Sequence, residues 1–272
     1  MILEYPQSTP PNPQSLLLAS ANAVLSVVLA PRCAACQSML SRPLAGPICQ
    51  YCWHAVRLIT PPVCDGCGDP LPSWQGIGAA PPRCLRCSHV SRAIDRGRAV
   101  GEYQGALRLI IHAMKYDGRR SAAHNLGMLM RKRGCDVLEG VDGVVPVPLH
   151  PARERARGFN QATELARNLG LPVWAVLRRI RPTVPQVELP EPQRHANVRG
   201  AFIVNERGRW PTLSKAPRPI LSRACVLLVD DVSTTGATLE ACAHVLKEAG
   251  AREVRALTAA RVVRRQCAPR LL

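Results

Sequence analysis

The chain has 272 residues, of which 47% are hydrophobic and 4% aromatic, and it carries a formal net charge of +17. This length allows one α/β domain of about 170 to 180 residues with a smaller appendage, and the apolar share is that of a globular protein, which argues against a disordered one. The charge predicts an anionic ligand, and both a nucleic acid and a polyphosphate metabolite satisfy it.

The first 30 residues are predicted to form an N-terminal extension. Residues 1–15 are rich in Pro, Gln and Ser, which predicts disorder. The apolar stretch from Leu16 to Leu29 is interrupted by polar residues and fits an amphipathic helix that is too short to cross a bilayer. The chain starts without the basic region of a secretion signal. We therefore expect a cytoplasmic protein with reduced thiols and no membrane insertion.

Residues 31–92 contain four C-x-x-C pairs. These are Cys33/Cys36, Cys49/Cys52, Cys64/Cys67 and Cys84/Cys87. Two thiolates three positions apart on a tight turn both reach a metal ion about 2.3 Å away, and two such pairs complete a tetrahedral zinc site. The four pairs therefore predict a small domain with up to two structural Zn²⁺ ions. Consecutive pairing is the simplest arrangement, and interleaved pairing stays open at this stage.

Disulfides and redox-active C-x-x-C motifs are the alternatives to zinc. Redox motifs rarely occur four in a row, and a thioredoxin-like context is missing here, so zinc is the prediction. The sequence leaves open whether this module contacts nucleic acid, another protein or the neighbouring domain.

Residues 93–272 alternate between apolar strands and helices. Strands are predicted at Ala99–Tyr103, Val144–Pro148, Val226–Val229 and Val254–Ala260. Helices are predicted around Leu107–Met114 and over Asn125–Met130, Glu154–Leu169 and Thr238–Ala249, with a partly helical segment at Gln186–Val198 and a loop over 205–220. This alternation predicts an α/β fold in which helices cover both faces of a mostly parallel sheet.

The segment after Val229 is unusually polar. It consists of Asp230, Asp231, Val232, Ser233, Thr234, Thr235, Gly236, Ala237 and Thr238. Ligands of parallel sheets bind beyond the carboxyl ends of the strands, where a helix N-terminus offers free N–H groups to a phosphate. The carboxylates are unsuited to phosphate, so we expect them to face ribose hydroxyls or a divalent cation. A simple helix cap needs only one such polar residue.

This segment resembles the motif with which type I phosphoribosyltransferases bind phosphoribosyl pyrophosphate (PRPP), a strand followed by Asp-Asp and Thr-Thr-Gly-x-Thr. With the cysteine pairs, it resembles the ComF family of competence-associated phosphoribosyltransferase-like proteins, which carry an N-terminal double zinc ribbon. The resemblance covers nearly the whole chain. It implies a type I phosphoribosyltransferase-like fold, catalytic roles for Asp230 and Asp231, and binding of PRPP by Ser233–Thr238.

Other segments agree with this family. Val144–His150, followed by Arg153, Arg155 and Arg157, is similar to its strand and loop for pyrophosphate, and Lys115 lies in a segment similar to its Lys-centred turn. The residues that resemble its mobile hood are Gln186, Leu189, Arg194, Asn197 and Gly200–Phe202, with Pro190 and Pro192 interrupting the expected helix. Taken alone, the arginines fit a solvated helix face and Lys115 fits a helix cap.

The resemblance implies PRPP with Mg²⁺ as the ligand and a nitrogenous base as the acceptor, in nucleotide salvage or in DNA uptake. We find no recognisable acceptor pocket in the sequence, and aromatic residues that would stack on a base are few. The alternative is a protein without turnover that responds to PRPP or binds single-stranded DNA during transformation. A further alternative is an adaptor whose zinc ribbons bind a competence helicase or another uptake protein.

Overall fold

The structure is a computed structural model that describes residues 13–72, 81–116, 120–182, 197–205 and 221–263. The helices in these ranges are α1 (Pro13–Val28), α2 (Gln50–His54), α3 (Leu85–His89), α4 (Gly105–Tyr116), α5 (Ser121–Arg133), α6 (Cys135–Leu138), α7 (Pro151–Arg157), α8 (Gln161–Ala166) and α9 (Ala237–Glu248). The strands are β1 (Arg96–Glu102), β2 (Gly143–Pro146), β3 (Leu177–Arg179), β4 (Phe202–Val204), β5 (Cys225–Ser233) and β6 (Glu253–Arg261). The hood residues Gln186, Leu189 and Arg194, both hood prolines, and residues 206–220 of the predicted loop lie outside the described residues.

The main sheet has four strands in the order β1-β6-β5-β2, and all three neighbouring pairs are parallel. Strand β5 is central, and its apolar run from Val226 to Val229 is completely buried. A strand that is apolar on both faces requires a cover on both faces. The predicted parallel sheet is confirmed.

The two faces of this sheet carry separate cores. Leu227 and Val229 face the helices α4, α5 and α8, whereas Val226 and Leu228 face α9. Successive residues of a strand point to opposite faces, so one apolar run supplies both cores. Each fully buried leucine contributes about 1.5–3 kcal/mol of burial free energy, and these layers therefore fix where the end of β5 lies.

The helix predicted over Glu154–Leu169 is interrupted, and this part of the prediction is wrong. Gly158 ends α7 in the left-handed conformation, with a φ of 75°. Asn160 then caps α8, because its Oδ1 accepts a hydrogen bond of 3.0 Å from the backbone N–H of Ala162. A glycine after one helix and an asparagine before the next are the residues that these two caps favour.

The first cysteine pairs are joined to the main core. Cys33, Leu40, Ile48 and Cys52 lie in the same buried cluster as the residues of α4. The chain that follows runs along the edge of β1, where Ile59 N donates to the carbonyl of Val100 at 2.9 Å. The zinc module and the sheet therefore share both a core and backbone hydrogen bonds.

The predicted N-terminal helix is present as α1. Its Asn22 Oδ1 accepts a hydrogen bond of 3.0 Å from the backbone N–H of Leu44, and Val24, Val27 and Val28 are exposed. In the described part of the chain, no helix combines the length and the apolar character that a membrane span requires.

Candidate functional site

The eight cysteines form two separate clusters. The first cluster consists of Cys33, Cys36, Cys49 and Cys52, and the second cysteine cluster consists of Cys64, Cys67, Cys84 and Cys87. The four Sγ atoms of each cluster lie within 4.8 Å of one another. The pairs are therefore combined consecutively, and the interleaved arrangement is excluded.

The spacing of the sulfur atoms fits zinc. Sγ–Sγ distances are 3.9 Å for Cys33 and Cys52, 3.7 Å for Cys36 and Cys49, and 3.7 Å for Cys67 and Cys84. A tetrahedron with Zn–S bonds of about 2.3 Å has edges of about 3.8 Å. A disulfide would require about 2.05 Å. Each cluster thus provides a closed set of four thiolates, the arrangement of a structural zinc site.

The polar segment after Val229 lies at an open edge of the sheet. Strand β2 pairs with β5 only as far as Pro146 and Val229, whereas β6 pairs with β5 as far as Ser233. Among the residues that the structure describes, no strand therefore pairs with the other edge of β5 at Asp230 and Asp231. Strand β5 continues to Ser233, three residues past Asp230, before the chain turns into α9. The strand is therefore longer than its apolar run predicts.

A cavity of about 190 Å³ lies at this open edge. Seven of the residues predicted to bind a ligand line it, namely Lys115, Arg153, Arg157, Asp230, Asp231, Thr234 and Thr238. They come from α4, α7, β5, the turn before α9 and the first turn of α9. The sheet and its helices thus bring together side chains that are separated by more than a hundred positions in the chain.

Other predicted site residues lie elsewhere. Arg155 is exposed and lies two positions from both Arg153 and Arg157, on the other side of α7. Ser233, Thr235 and Ala237 are buried behind the cavity, and Gly236 has a φ of 82°, in the left-handed region. These four residues shape the backbone of the segment Ser233–Thr238, which we call the phosphate loop after the ligand that its sequence predicts.

The carboxylates of the cavity lie in a tight electrostatic arrangement. Lys115 Nζ lies 2.8 Å from Asp231 Oδ2. Burial lowers the pKa of Lys115, but the charges of Asp231 and Asp230 outweigh it, so the net shift is upward. Burial and the neighbouring charge of Asp231 raise the pKa of Asp230 to about 7. The cavity therefore holds one carboxyl group that titrates near neutral pH.

The structure adds Tyr103 and Arg179, which the sequence did not indicate, to the cavity lining. Tyr116, Asn160, Gln161 and the backbone after β2 also line it, and they lie in the segments that resemble the family's Lys-centred turn and its strand and loop for pyrophosphate. Asn160 Nδ2 donates to the carbonyl of Val147 at 3.0 Å and thereby holds that backbone against the cavity. The cap signal of Asn160 was visible in the sequence, but nothing local distinguished Arg179 among the many arginines.

Gln161 shows which kind of ligand the cavity suits. Its side chain is 2% exposed, and its Oε1 accepts a hydrogen bond of 2.9 Å from Arg157 Nη1. Its Nε2 has no hydrogen-bond partner among the described residues. A buried donor without a partner is destabilising by about 1–3 kcal/mol, so a ligand oxygen at this position would be stabilising.

The charges of the lining indicate the same ligand chemistry. Four cationic side chains, from Lys115, Arg153, Arg157 and Arg179, line the same cavity as the two carboxylates. Arginine forks and a lysine ammonium suit phosphate oxygens, while the carboxylates suit hydroxyls or a hard cation. The arrangement fits a molecule that carries phosphates at one part and hydroxyls at another.

Comparison with known proteins agrees with this geometry. The family model "Double zinc ribbon domain" matches residues 24–88, and "Phosphoribosyl transferase domain" matches residues 155–270. Competence protein F of Haemophilus influenzae is 28% identical over 82% of this chain and 93% of that protein. The DNA utilization protein YhgH of Salmonella typhimurium is 31% identical over 76% of this chain and 87% of that protein. The chain belongs to the ComF family.

Membership of the ComF family confirms the predicted combination of a double zinc ribbon with a phosphoribosyltransferase domain. Competence protein ComFC of Bacillus subtilis (strain 168) is 25% identical over 75% of this chain and 79% of that protein. The curated relatives carry competence or DNA-utilization names.

The similarity to solved structures is partial. It includes glutamine PRPP amidotransferase from B. subtilis, with 24% identity and a TM-score of 0.33 over 51% of this ComF chain and 26% of that one. It also includes purine phosphoribosyltransferase from Pyrococcus horikoshii, with 18% identity and a TM-score of 0.30 over 51% of this chain and 81% of that one.

Proposed function

We propose that this protein binds PRPP with Mg²⁺ in the cavity beside the end of β5, as a phosphoribosyltransferase-type protein in DNA uptake or nucleotide salvage. The observation that carries the proposal is the meeting, in one cavity, of four cationic side chains, two carboxylates and two threonines of the phosphate loop. PRPP combines a 5′-phosphate, ribose hydroxyls and a pyrophosphate, which correspond to these three groups of side chains.

The phosphate loop is assigned to the 5′-phosphate. Thr234 and Thr238 line the cavity, and the loop opens α9, a helix of 12 residues whose N-terminus favours an anion. Ser233, Thr235, Gly236 and Ala237 hold the loop's backbone in the conformation that surrounds the phosphate.

Asp230 and Asp231 are assigned to the ribose. Carboxylates accept hydrogen bonds from vicinal hydroxyls, and their oxygen atoms are the ligands that Mg²⁺ prefers. When bound, Mg²⁺ would neutralise negative charge between the ribose and the pyrophosphate. Lys115 balances Asp231 in the absence of the ligand.

The remaining cationic residues are assigned to the pyrophosphate. Arg153 and Arg157 come from α7, Arg179 comes from β3, and Gln161 Nε2 is a further donor. If an acceptor is present, the bond between C1 of the ribose and the pyrophosphate breaks, and its electron pair leaves with the pyrophosphate. A lone pair of the base nitrogen forms the new bond to C1, and the N–H proton of the base passes to water. Fixed positive charges stabilise that leaving group and therefore favour transfer to a nitrogen atom of a base.

Calorimetric titration of the zinc-loaded protein with PRPP and Mg²⁺ tests this assignment. We expect saturable binding that the Asp230→Asn/Asp231→Asn double variant loses. Arg157→Met should weaken binding by about tenfold or more, because it removes a charge-assisted contact, whereas Arg155→Met, on the exposed side of α7, should change it little. A folded wild-type protein that binds no PRPP contradicts the proposal. Pyrophosphate release with a panel of bases then tests turnover.

A second candidate function is the binding of single-stranded DNA in the cytoplasm, with or without turnover of PRPP. The net charge of +17 and the competence and DNA-utilization names of the relatives favour it. An adaptor role for uptake proteins is the corresponding proposal for the zinc module. Binding of a labelled single strand that weakens linearly with the logarithm of salt concentration would support the DNA function, and the absence of binding at low salt would contradict it.

A further inference from the structure

Arg261 connects the second cysteine cluster to the phosphate loop. It is the last residue of β6 and is 3% exposed. It forms a bidentate ion pair with Asp69, in which Nη2 lies 3.0 Å from Oδ2. Asp69 Oδ2 in turn lies 3.4 Å from Sγ of Cys67. On its other side, Arg261 Nη1 donates a hydrogen bond of 3.1 Å to Oγ of Ser233, the first residue of the loop.

Arg92 makes a second, independent connection from the same cluster. Its Nη1 donates to Sγ of Cys87 at 3.1 Å, and its Nε donates to Glu240 Oε2 at 3.1 Å. Glu240 lies in the first turn of α9, and its other oxygen accepts the backbone N–H of Ala93. Arg92 therefore joins a cysteine of the second cluster to the helix that follows the loop.

The two arginines contact the chain on both sides of the loop's turn. Arg261 contacts Ser233 before the turn, and Arg92 contacts Glu240 after it. The turn itself passes close to Arg92, since a Cβ at Gly236 would lie 3.3 Å from Arg92 Nη2. The cavity residues Thr234 and Thr238 lie between these contacts on the opposite side of the loop.

We propose that Arg261 and Arg92 are positioning residues that hold the phosphate loop on the second cysteine cluster, so that binding of a 5′-phosphate depends on the metal in that cluster. This inference rests on the proposed function. We expect loss of the ion that the four thiolates would hold to displace Asp69 and Cys87, because the cluster has few buried apolar neighbours among the described residues. The first cluster packs against α4 with the main core instead.

The inference assigns different sensitivities to the two ends of the ligand. Displacement of the phosphate loop should weaken the binding of ribose 5-phosphate, which the loop would hold. It should leave the binding of inorganic pyrophosphate unaffected, because Arg153, Arg157 and Arg179 lie on other elements. If the arginines had a purely structural role, their replacement would weaken the binding of both ligands or of neither.

The test measures calorimetric affinities of the full zinc-loaded chain for ribose 5-phosphate and for pyrophosphate. We expect Arg261→Met and Arg92→Met to weaken the binding of ribose 5-phosphate by about tenfold and to change the affinity for pyrophosphate by less than about twofold. The reason is that each variant loses charge-assisted hydrogen bonds that support the loop. Hydrogen exchange of the amides of 233–240 should become faster in both variants before any ligand is added. Arg261→Lys keeps a positive charge for Asp69 but cannot form the bidentate contact. It should therefore fold, and its affinity for ribose 5-phosphate should lie between those of the wild-type protein and Arg261→Met.

Arg255→Met is the matched control. Arg255 lies on the same strand, is largely buried, and pairs with Glu253 at 2.6 Å, at the end of β6 away from the loop. Its loss should leave both affinities and the exchange of 233–240 unchanged. Equal effects of Arg255→Met and Arg261→Met on ribose 5-phosphate, or no effect of Arg261→Met, overturn the inference.

The metal itself is tested by one cysteine from each cluster. Cys84→Ser and Cys36→Ser should each lose one zinc ion, and only Cys84→Ser should weaken ribose 5-phosphate. If the wild-type protein binds pyrophosphate and ribose 5-phosphate, and Arg261→Met, Arg92→Met and Cys84→Ser bind both with the same affinity, this inference alone is overturned. A wild-type protein that binds neither overturns the proposed function and this inference with it.

Discussion

Lys115 and Asp231 form an ion pair of 2.8 Å at the cavity, with only 17% and 10% of their side chains exposed. The two residues come from the last turn of α4 and from the extended end of β5. The pair therefore joins the helix layer to the open edge of the sheet, where it lies beside the phosphate loop. In an ion pair this deeply buried, removal of one partner leaves the other charge without compensation.

We expect Lys115→Met to lower the free energy of unfolding by about 3 kcal/mol, because Asp231 stays buried without its partner. The same change should weaken PRPP binding, since one cation of the cavity is lost. Urea unfolding and calorimetry measure the two effects. Lys132→Met, at an exposed lysine of α5, is the control and should change neither. An unaltered stability of Lys115→Met would show that the pair contributes nothing to folding.

PRPP binding should depend on pH through Asp230, whose pKa burial and the charge of Asp231 raise to about 7. The carboxylate form accepts ribose hydroxyls or holds Mg²⁺, so protons compete with the ligand. Affinity should fall by about tenfold as the pH falls from 8 to 6, because the ionised fraction falls by that factor. Titrations at a series of pH values measure it. Asp230→Asn should bind weakly and lose this dependence, and an equal dependence in both proteins would contradict the assignment.

Gly236→Ala should weaken binding as well as stability. Gly236 has a φ of 82°, a conformation that costs a residue with a Cβ about 1–2 kcal/mol, and the new methyl group would approach Arg92. Gly140→Ala is a matched control, because Gly140 has a φ of 69° and open space around it, far along the chain from the loop. Both variants should lose similar stability in thermal unfolding, and only Gly236→Ala should lose affinity for PRPP. A loss of affinity in both would point to a general effect.

Zinc content should follow the two clusters. Elemental analysis should find two zinc ions per chain in the wild-type protein and one in Cys33→Ser. The control Cys225→Ser should keep two, since Cys225 is buried and lies outside both clusters. Cys33→Ser should also lower the melting temperature strongly, because Cys33 is completely buried in the core that contains α4. Two zinc ions in Cys33→Ser would contradict the assignment of the cluster.

The sequence predicted the elements whose signal is local. The apolar run at Val226–Val229 indicated the central strand, and the spacing of the cysteines indicated the zinc clusters. The break at Gly158 was also encoded locally, in a glycine and an asparagine two positions apart, but the helical pattern around them obscured it. That break matters for the site, because it places Arg157 at the end of α7 and Gln161 at the start of α8.

The contacts that support the phosphate loop were beyond a sequence-based prediction. Asp69 and Arg261 are 192 positions apart. Their pairing depends on where the second cysteine cluster packs against the sheet, and nothing in the residues around either one specifies it. Arg179 is similar, since its place in the cavity follows from the position of β3 alone.

Gln161→Glu should change stability and affinity in opposite directions. The new carboxylate keeps an acceptor for Arg157 Nη1, now charged, and replaces the Nε2 donor that has no partner among the described residues. The ligand-free protein should therefore be more stable by about 1 kcal/mol, while PRPP should bind at least about tenfold more weakly, because an anionic oxygen would face its phosphates. Urea unfolding and calorimetry on one preparation give both values. Gln50→Glu, at an exposed position of α2, should change neither, and a loss of stability together with affinity would mean that Gln161 acts only through packing.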